Sequence, residues 1–283
     1  MKTTVYYMSG AGNTFTVIDN RDDGISLEKA RQLAGILCSA NETNPYATEG
    51  LMLIGGEGGS KDFNVEFFNP DGSHGAMCGN GGRCAVMLAA KLGIIEPDMD
   101  LYKFGMAGSE YSACFAGSNV RLYLPPPVSI DRDISIPLAG GAIKAAYVDV
   151  NSDHAVINID CARNILEADI EEADLTGFAI PIRHHKMFAP RGVNVNLYKI
   201  LDKTTLRLRT YERGVEAETG ACGTGSVSTA IIASLRGEVT LPVKIIPPSG
   251  IPVWADTILE ASSIVSCILE GPAEIFDMRE IEI

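Results

Sequence analysis

Two copies of the pattern Cys-Gly-x-Gly, beginning at Cys78 and at Cys222, constrain the fold of this chain more than any other feature. Each copy closes a glycine-rich loop and is followed at once by an apolar stretch of small residues, which is typical of a loop that begins a helix. The two cysteines are separated by about half of the 283 residues. We therefore interpret the chain as two halves that each present one cysteine at the start of a helix.

The elements predicted around the two cysteines follow the same order. A pair of strands comes first, then the cysteine loop, then a helix that ends at a glycine, then a meander of strands. In the first half the paired strands are 51–54 and 63–68. In the second half they are 193–200 and 205–211, and the helix covers 225–236. The matched order predicts an internal duplication.

Turn and helix signals divide the rest of the chain. Glycines interrupt a strand pattern at 9–13, so that a turn presents Asn13, and the turn-rich segment 55–62 joins the first strand pair. Helices are predicted over 26–38 and 164–172. The triple proline 125–127 cannot lie inside a central strand or a helix, and it is the best linker signal. The predicted domains are 1–124 together with the C-terminal strand 273–283, and 125–272.

Composition and charge exclude several classes of protein. With 46% hydrophobic residues the chain can bury a large core, and no run of about 18 apolar residues indicates a membrane span. The N-terminus lacks the apolar run of a signal peptide, so we expect a cytoplasmic protein. A formal net charge of −13 repels nucleic acid and anionic membranes, so neither is expected as a partner. The seven scattered cysteines indicate reduced thiols, and an exposed strand edge would support a homodimer.

The chemistry that suits the two cysteine loops is proton transfer at carbon. Glycine N–H groups at the start of a helix bind anions, and the carboxylate of an amino acid is one such anion. The same field favours the thiolate form of a cysteine. Two such loops on either side of one α-carbon would let one cysteine remove a proton while the other delivers a proton to the opposite face, which inverts the centre. This scheme requires no metal and no pyridoxal cofactor, and the four histidines show no metal-ligand spacing.

Two other interpretations of the first loop remain open. Cys78 alone would fit a glycine-rich turn with a buried thiol. Repetition of the pattern at Cys222 argues against that interpretation. Cys78 and Cys84 would fit a metal or disulfide pair, but a helix that follows at once carries Cys84 about two turns along and into the core.

Three segments together resemble the diaminopimelate epimerase family, the pyridoxal-independent amino-acid racemases and epimerases, over nearly the whole chain. They are Ser9-Gly10-Ala11-Gly12-Asn13; Phe68 to Ser73 leading to Met77-Cys78-Gly79-Asn80-Gly81; and Tyr211-Glu212-Arg213-Gly214 leading to Glu218 through Gly225. The resemblance implies an α/β (α+β) fold of two pseudosymmetric domains. Each domain would be a curved, mostly antiparallel sheet around a central helix, with the active site in the cleft between them.

The resemblance also implies roles for individual residues in an amino-acid substrate site. Cys78 and Cys222 would be the acid/base pair, and Gly79, Asn80, Gly223 and Thr224 would donate backbone N–H groups to the α-carboxylate. The far carboxylate and amine would be bound by residues of both halves: Asn13, Asn69, Asn194 and Arg213. Glu212 would bind the substrate amino group. A guanidinium matches a carboxylate as a planar fork, which suits Arg213.

These residues also have structural interpretations. Asn13 and Asn69 lie in turns, where asparagine often bonds to the backbone. Asn194 alternates with valines and would fit the exposed face of a strand. Glu212 and Arg213 would fit a solvated ion pair.

The chain departs from the family pattern at 151–154. The family often has a proline-histidine pair here, whereas this chain has Asp153-His154. His184 and His185 match no family position and are expected on a surface loop.

Three hypotheses for function follow. The first is an epimerase that interconverts LL-2,6-diaminopimelate and meso-diaminopimelate for lysine and cell-wall precursor synthesis. The second, which the departure at Asp153 keeps open, is a racemase of another amino acid with the same two cysteines. The third is a relative that keeps the fold as a non-catalytic or differently reacting binding module.

Overall fold

The computed structural model describes residues 2–41, 44–56, 60–75 and 77–283. The contacts within the chain divide it into two compact units, Met1–Tyr123 with Glu270–Ile283, and Leu124–Leu269. Whether the units fold independently, as the predicted domains would, stays a prediction. Among the described residues, no helix has both the length and the apolar character needed to cross a membrane.

The described residues of the first unit form two helices and eight strands. The helices are α1 (Leu27–Leu37) and α2 (Gly79–Lys91). The strands are β1 (Lys2–Gly10), β2 (Asn13–Asp19), β3 (Leu51–Gly55), β4 (Phe63–Phe68), β5 (Tyr102–Met106), β6 (Ser109–Ala116), β7 (Asn119–Leu124) and, from the end of the chain, β17 (Glu274–Glu282).

These strands pair in the order β17-β1-β2-β3-β4-β5-β6-β7. The pairs β2–β3 and β4–β5 are parallel and the others are antiparallel. Helix α2 contacts β17, β1, β2 and β3, and its Gly82 also approaches Phe104 of β5 and Leu122 of β7. A sheet whose first and later strands touch the same helix must curve around that helix, so α2 is the central helix of this unit.

Helix α1 covers the other face of the same sheet. Ala30, Leu33, Ala34 and Leu37 recur at helical spacing and pack on apolar side chains of β1, β2 and β3. Ser26 caps the helix by accepting a hydrogen bond from the N–H of Lys29. The helix predicted over 26–38 is therefore confirmed.

The second unit contains the other two helices and nine strands. The helices are α3 (Leu175–Arg183) and α4 (Gly223–Leu235), with short 3-10 turns at Ile159–Ala162 and Lys186–Phe188. The strands are β8 (Ser129–Leu138), β9 (Gly141–Asp149), β10 (Asp153–Asn158), β11 (Asn194–Asp202), β12 (Thr205–Glu212), β13 (Ala217–Glu218), β14 (Val243–Ile246), β15 (Val253–Glu260) and β16 (Ser263–Gly271).

The pairing order of the second unit repeats that of the first. It runs β8-β9-β10-β11-β12-β14-β15, again with the third and fifth pairs parallel and the others antiparallel. Helix α4 contacts β9, β10, β11 and β15, and α3 packs with the strands through a separate apolar cluster. The internal duplication predicted from the sequence is confirmed at the level of strand order and direction.

One predicted helix is wrong. Residues 164–172 form turns, and the helix α3 lies later in the chain, where Asp174 caps it by accepting from the N–H of Gly177. Pro181 inside α3 concealed the helix in the sequence, because proline usually ends helices. Strand β8 lies in a segment where no strand was predicted. Positions 57–59 of the turn predicted over 55–62, and position 76 of the first cysteine loop, lie outside the described residues.

Candidate active site

Cys78 is the residue that caps α2. Its backbone is extended, and its Sγ accepts a hydrogen bond from the N–H of Gly81 at 3.4 Å. Gly79 and Asn80 form the first turn of the helix, where backbone N–H groups point out of the helix end. The structure therefore places a sulfur and the positive end of a helix at one point, as the sequence predicted.

Arg83 lies fully buried one turn further along α2. Its guanidinium donates to Asn80 Oδ1 at 2.8 Å and more weakly to the carbonyls of Gly79 and Pro272, both at 3.4 Å. No carboxylate among the described residues lies within ion-pair distance. Burial lowers the pKa of Arg83 to about 10, whereas the negative forms of Cys84 and Cys78 act to raise it. A buried cation thus lies close enough to Cys78 to interact with its charge.

A chain of carboxamides extends from Arg83 to the β1–β2 turn. Asn80 donates from Nδ2 to Asn13 Oδ1 at 3.1 Å, and Asn13 donates from its own Nδ2 to the carboxylate of Glu49. Gly10 lies against this network, because a Cβ there would come within 2.5 Å of the carbonyl oxygen of Asn80. The predicted site residues Asn13 and Asn80 are therefore held together beside Cys78.

Asn69 lies in a turn of its own. Its N–H donates to the carbonyl of Ser73 and its Nδ2 to Ser73 Oγ, both at 2.9 Å, and Gly72 has a positive φ of 79°. The carboxamide of Asn69 therefore bonds within the turn, as its structural interpretation proposed. Its contact with substrate stays a prediction.

Cys222 repeats the geometry of Cys78 at the start of α4. Its Sγ accepts from the N–H of Gly225 at 3.3 Å, and Gly223 and Thr224 begin the helix. Gly225 fits closely under the sulfur, since a Cβ there would lie 3.1 Å from Sγ and 2.9 Å from Asn196 Oδ1. A side chain larger than hydrogen at this glycine would displace the thiol.

The surroundings of Cys222 differ from those of Cys78 in charge. The carboxyl group of Glu212, at the end of β12, lies close enough to Cys222 for its charge to act on the thiol, and it accepts from Thr219 Oγ1. Burial raises the pKa of Glu212, and it raises the pKa of Cys222 well above its usual value, with the Glu212 charge adding to the effect. The structure thus favours a protonated thiol at Cys222.

His154 is fully buried beneath this loop. Its Nε2 lies 3.0 Å from Thr224 Oγ1, which is 3.6 Å from Cys222 Sγ, and its Nδ1 lies 3.4 Å from Asn196 Oδ1. Burial lowers the pKa of His154 to about 4, so the imidazole is neutral at pH 7. These contacts connect His154 to Cys222 through the Thr224 hydroxyl.

Arg213 is paired with a carboxylate of its own chain. Its Nη1 donates to Asp153 Oδ2 at 2.7 Å and to the carbonyl of Gly192 at 3.1 Å. Asn194 is 4% exposed, which excludes its interpretation as the exposed face of a strand. It accepts from the N–H of Arg213 at 2.9 Å and donates to the carbonyl of Asp153 at 2.7 Å. Glu212 and Arg213, which follow each other in sequence, therefore bond to different groups.

Sequence reasoning missed three residues of these clusters, Arg83, Asn196 and Glu49. Arg83 could have been found as a cation in the first half of α2, among small and apolar residues. Asn196 could have been found because it is two positions after Asn194 on the same strand and so shares its face. The contact of Glu49 with Asn13 depends on residues distant in sequence and left no local signal. Asp153 was noted as a departure from the family pattern, but its pairing with Arg213 could not be read from the sequence. His184, expected on a surface loop, lies exposed at the end of α3, 3.9 Å from Glu216.

Solved structures with a similar fold are racemases, epimerases and related proteins. A phenazine biosynthesis protein of the PhzF family from Bacillus anthracis matches all of this chain and all of its own with a TM-score of 0.73 at 11% identity. A probable proline racemase from Agrobacterium radiobacter matches 99% of this chain and 93% of its own with a TM-score of 0.64 at 16% identity. The fold is therefore a mixed α+β fold found in amino-acid racemases and epimerases.

Sequence relatives identify an isomerase within this class. Residues 5–101 and 146–257 match the family model described as diaminopimelate epimerase. A diaminopimelate epimerase from Chlorobaculum tepidum is 36% identical over 94% of this chain and 96% of its own. One from Aquifex aeolicus is 34% identical over 86% of each. The chain belongs to the diaminopimelate epimerase family.

Proposed function

We propose that the chain interconverts LL-2,6-diaminopimelate and meso-diaminopimelate in the cytoplasm by proton transfer between two cysteines and the α-carbon. One observation carries this proposal. Cys78 and Cys222 cap the central helices of two units with the same strand order, so each presents a sulfur at the positive end of a buried helix. Equivalent reactive groups in two duplicated halves fit the two opposite faces of one carbon.

The charges near the two sulfurs support different protonation states at rest. Cys78 has the buried cation of Arg83 nearby, which stabilises a thiolate. Burial raises the pKa of Cys84, so Cys84 remains a thiol and does not compete for that charge. Cys222 has the Glu212 carboxyl beside it, which disfavours a second negative charge. We infer that Cys78 is the thiolate and Cys222 the thiol before LL-substrate binds.

The proton transfers then balance without a further reactant. The Cys78 thiolate takes the α-proton, the C–H electron pair remains on carbon, and the Cys222 thiol gives its proton to the opposite face. The enzyme is left as a Cys78 thiol and a Cys222 thiolate, which is the state that acts on the product in the reverse direction. Backbone N–H groups at both helix starts would bind the α-carboxylate and stabilise the negative charge that develops on it.

A racemase of another amino acid is the second candidate. The Asp153–Arg213 pair is the observation that favours it, because the residue expected to bind the far carboxylate of diaminopimelate already holds a carboxylate. A panel of amino acids incubated with the protein in deuterated water would decide between the two. Exchange at the α-carbon of diaminopimelate is expected, and exchange with another amino acid but none with diaminopimelate would contradict the first candidate.

Cysteine variants test whether the two thiols carry out the proton transfer. We expect Cys78→Ser and Cys222→Ser each to lose epimerisation by at least about a thousandfold, because a hydroxyl is a far weaker acid than a thiol. Cys161→Ser is the matched control, a partly buried thiol outside both loops. Turnover retained in either loop variant would contradict the two-cysteine mechanism.

Alkylation tests the assignment of the thiolate. At neutral pH an alkylating reagent should modify Cys78 before Cys222 and abolish turnover, and bound substrate should protect both. Equal labelling of the two thiols would contradict the assigned resting state, and full activity after complete labelling of Cys78 would contradict the mechanism.

A further inference from the structure

Asp153 carries a carboxylate that is almost enclosed. Its side chain is 6% exposed. Oδ1 accepts from the hydroxyl of Tyr147 at 2.6 Å and from Arg191 Nη2 at 2.8 Å, and Oδ2 accepts from Arg213 Nη1 at 2.7 Å. A buried carboxylate needs such partners, because an unpaired one would be costly.

The ion pair persists at neutral pH. Burial acts to raise the pKa of Asp153, but the hydrogen bonds from Tyr147 and Arg213 and the charge of Arg191 outweigh it, so the pKa lies below its usual value. Burial, together with the contact with Asp153, raises the pKa of Tyr147 to about 12, so its hydroxyl stays a donor.

The pair fixes one edge of the Arg213 guanidinium and leaves the other edge available. Nη1 donates hydrogen bonds to Asp153 and to the carbonyl of Gly192, and Asn194 accepts from the backbone N–H of Arg213. Within residues 2–41, 44–56, 60–75 and 77–283, the Nε and Nη2 atoms of Arg213 donate no hydrogen bond. These two atoms form the edge that binds a carboxylate through two parallel bonds.

Charge alone would not bring a carboxylate to this arginine. Asp153 neutralises Arg213, and the neighbouring Arg191 lies 3.9 Å from Asp149, so the four groups sum to zero. Recognition at such a site depends on the direction of the N–H groups, and a side chain already held in place loses less conformational entropy when a ligand binds.

We propose that Asp153 is a positioning residue that orients Arg213 so that its Nε–Nη2 edge meets the far carboxylate of the substrate. This rests on the proposed function, since it requires a substrate with a second carboxylate. In this proposal Asp153 contributes to specificity for diaminopimelate through the orientation of Arg213.

A double-mutant cycle on the intact protein tests the proposal. Asp153→Ala should raise the KM for LL-diaminopimelate by about tenfold and change kcat by less than about threefold, because a charged hydrogen bond remote from the reacting carbon is lost. Arg213→Ala should raise KM further, and adding Asp153→Ala to it should have no further effect, because Asp153 acts through Arg213. Where turnover is too slow, calorimetric Kd values replace KM.

Asp169→Asn is the matched control. It removes a carboxylate paired with Lys199 in the same unit, and it should leave KM unchanged. Additive effects of Asp153→Ala and Arg213→Ala, or an unchanged KM in Asp153→Ala, would overturn the proposal. If the unmodified protein exchanges another amino acid and not diaminopimelate, the proposed function fails. In that case the same double-mutant cycle is measured with the amino acid that does exchange. Non-additive effects of Asp153→Ala and Arg213→Ala would support the positioning role, and additive effects would refute it.

Discussion

At the scale of single residues, the two cysteines differ in the charged groups beside them and not in their own geometry. Cys78 and Cys222 have nearly the same backbone and the same capping bond. Arg83, which is fully buried, lies near the first and the partly buried Glu212 lies near the second. A charge is costly to bury without a partner of opposite sign. Such costs are common where a group must hold an unusual protonation state.

His154 gives a prediction about acid stability. Its pKa is about 4 in the folded chain and near 6.5 when unfolded, so between these values only the unfolded chain takes up the proton. The free energy of unfolding should therefore fall as pH falls through this window, by about 1.4 kcal/mol per pH unit from this residue. Denaturant titrations between pH 7 and pH 4 measure it.

The control for this prediction is a histidine on the surface. In His154→Gln the free energy of unfolding should fall less steeply with falling pH, by the equivalent of one bound proton. His184→Gln, which replaces a side chain that is 61% exposed, should leave the slope unchanged. An unchanged slope in His154→Gln would show that other groups cause the acid sensitivity.

At the scale of elements, each cysteine has a structural task as well as a chemical one. A serine hydroxyl can accept the capping bond from Gly81 or Gly225, whereas alanine cannot. We expect Cys78→Ser and Cys222→Ser to be more stable than the corresponding alanine variants by about 1 kcal/mol each, although neither serine variant turns over substrate. Equal stability of the serine and alanine variants in urea would mean that the sulfurs do not cap these helices.

The local elements were largely predictable from sequence, and the failures have physical causes. Helices α1, α2 and α4 begin near residues with clear loop or cap signals, such as Ser26 and the two glycine-rich loops. Helix α3 was misplaced because Pro181 lies within it and because the preceding segment, 164–172, has apolar residues at helical spacing. Its Leu166 and Ile170 are buried, but in turns that pack on the sheet.

At the scale of the whole molecule, the duplication was readable because the two cysteine loops are short and alike. The strand order and the parallel and antiparallel pattern of the first unit repeat in the second. The site contacts were less predictable. The Asp153–Arg213 pair joins residues 60 positions apart, and the Asn13–Asn80 bond joins residues 67 positions apart. Such contacts follow from strand pairing and not from local pattern.

The central claim concerns the whole molecule, since it requires the cysteine of each half to act on one carbon. The most direct measurement follows LL-diaminopimelate in deuterated water at low conversion and determines the isotope at the α-carbon of product and remaining substrate. Two bases predict that the first meso product carries solvent deuterium at the inverted centre while the remaining LL-substrate stays unlabelled. Meso product that retains the hydrogen of the substrate would show that one base acts on both faces and would contradict the account.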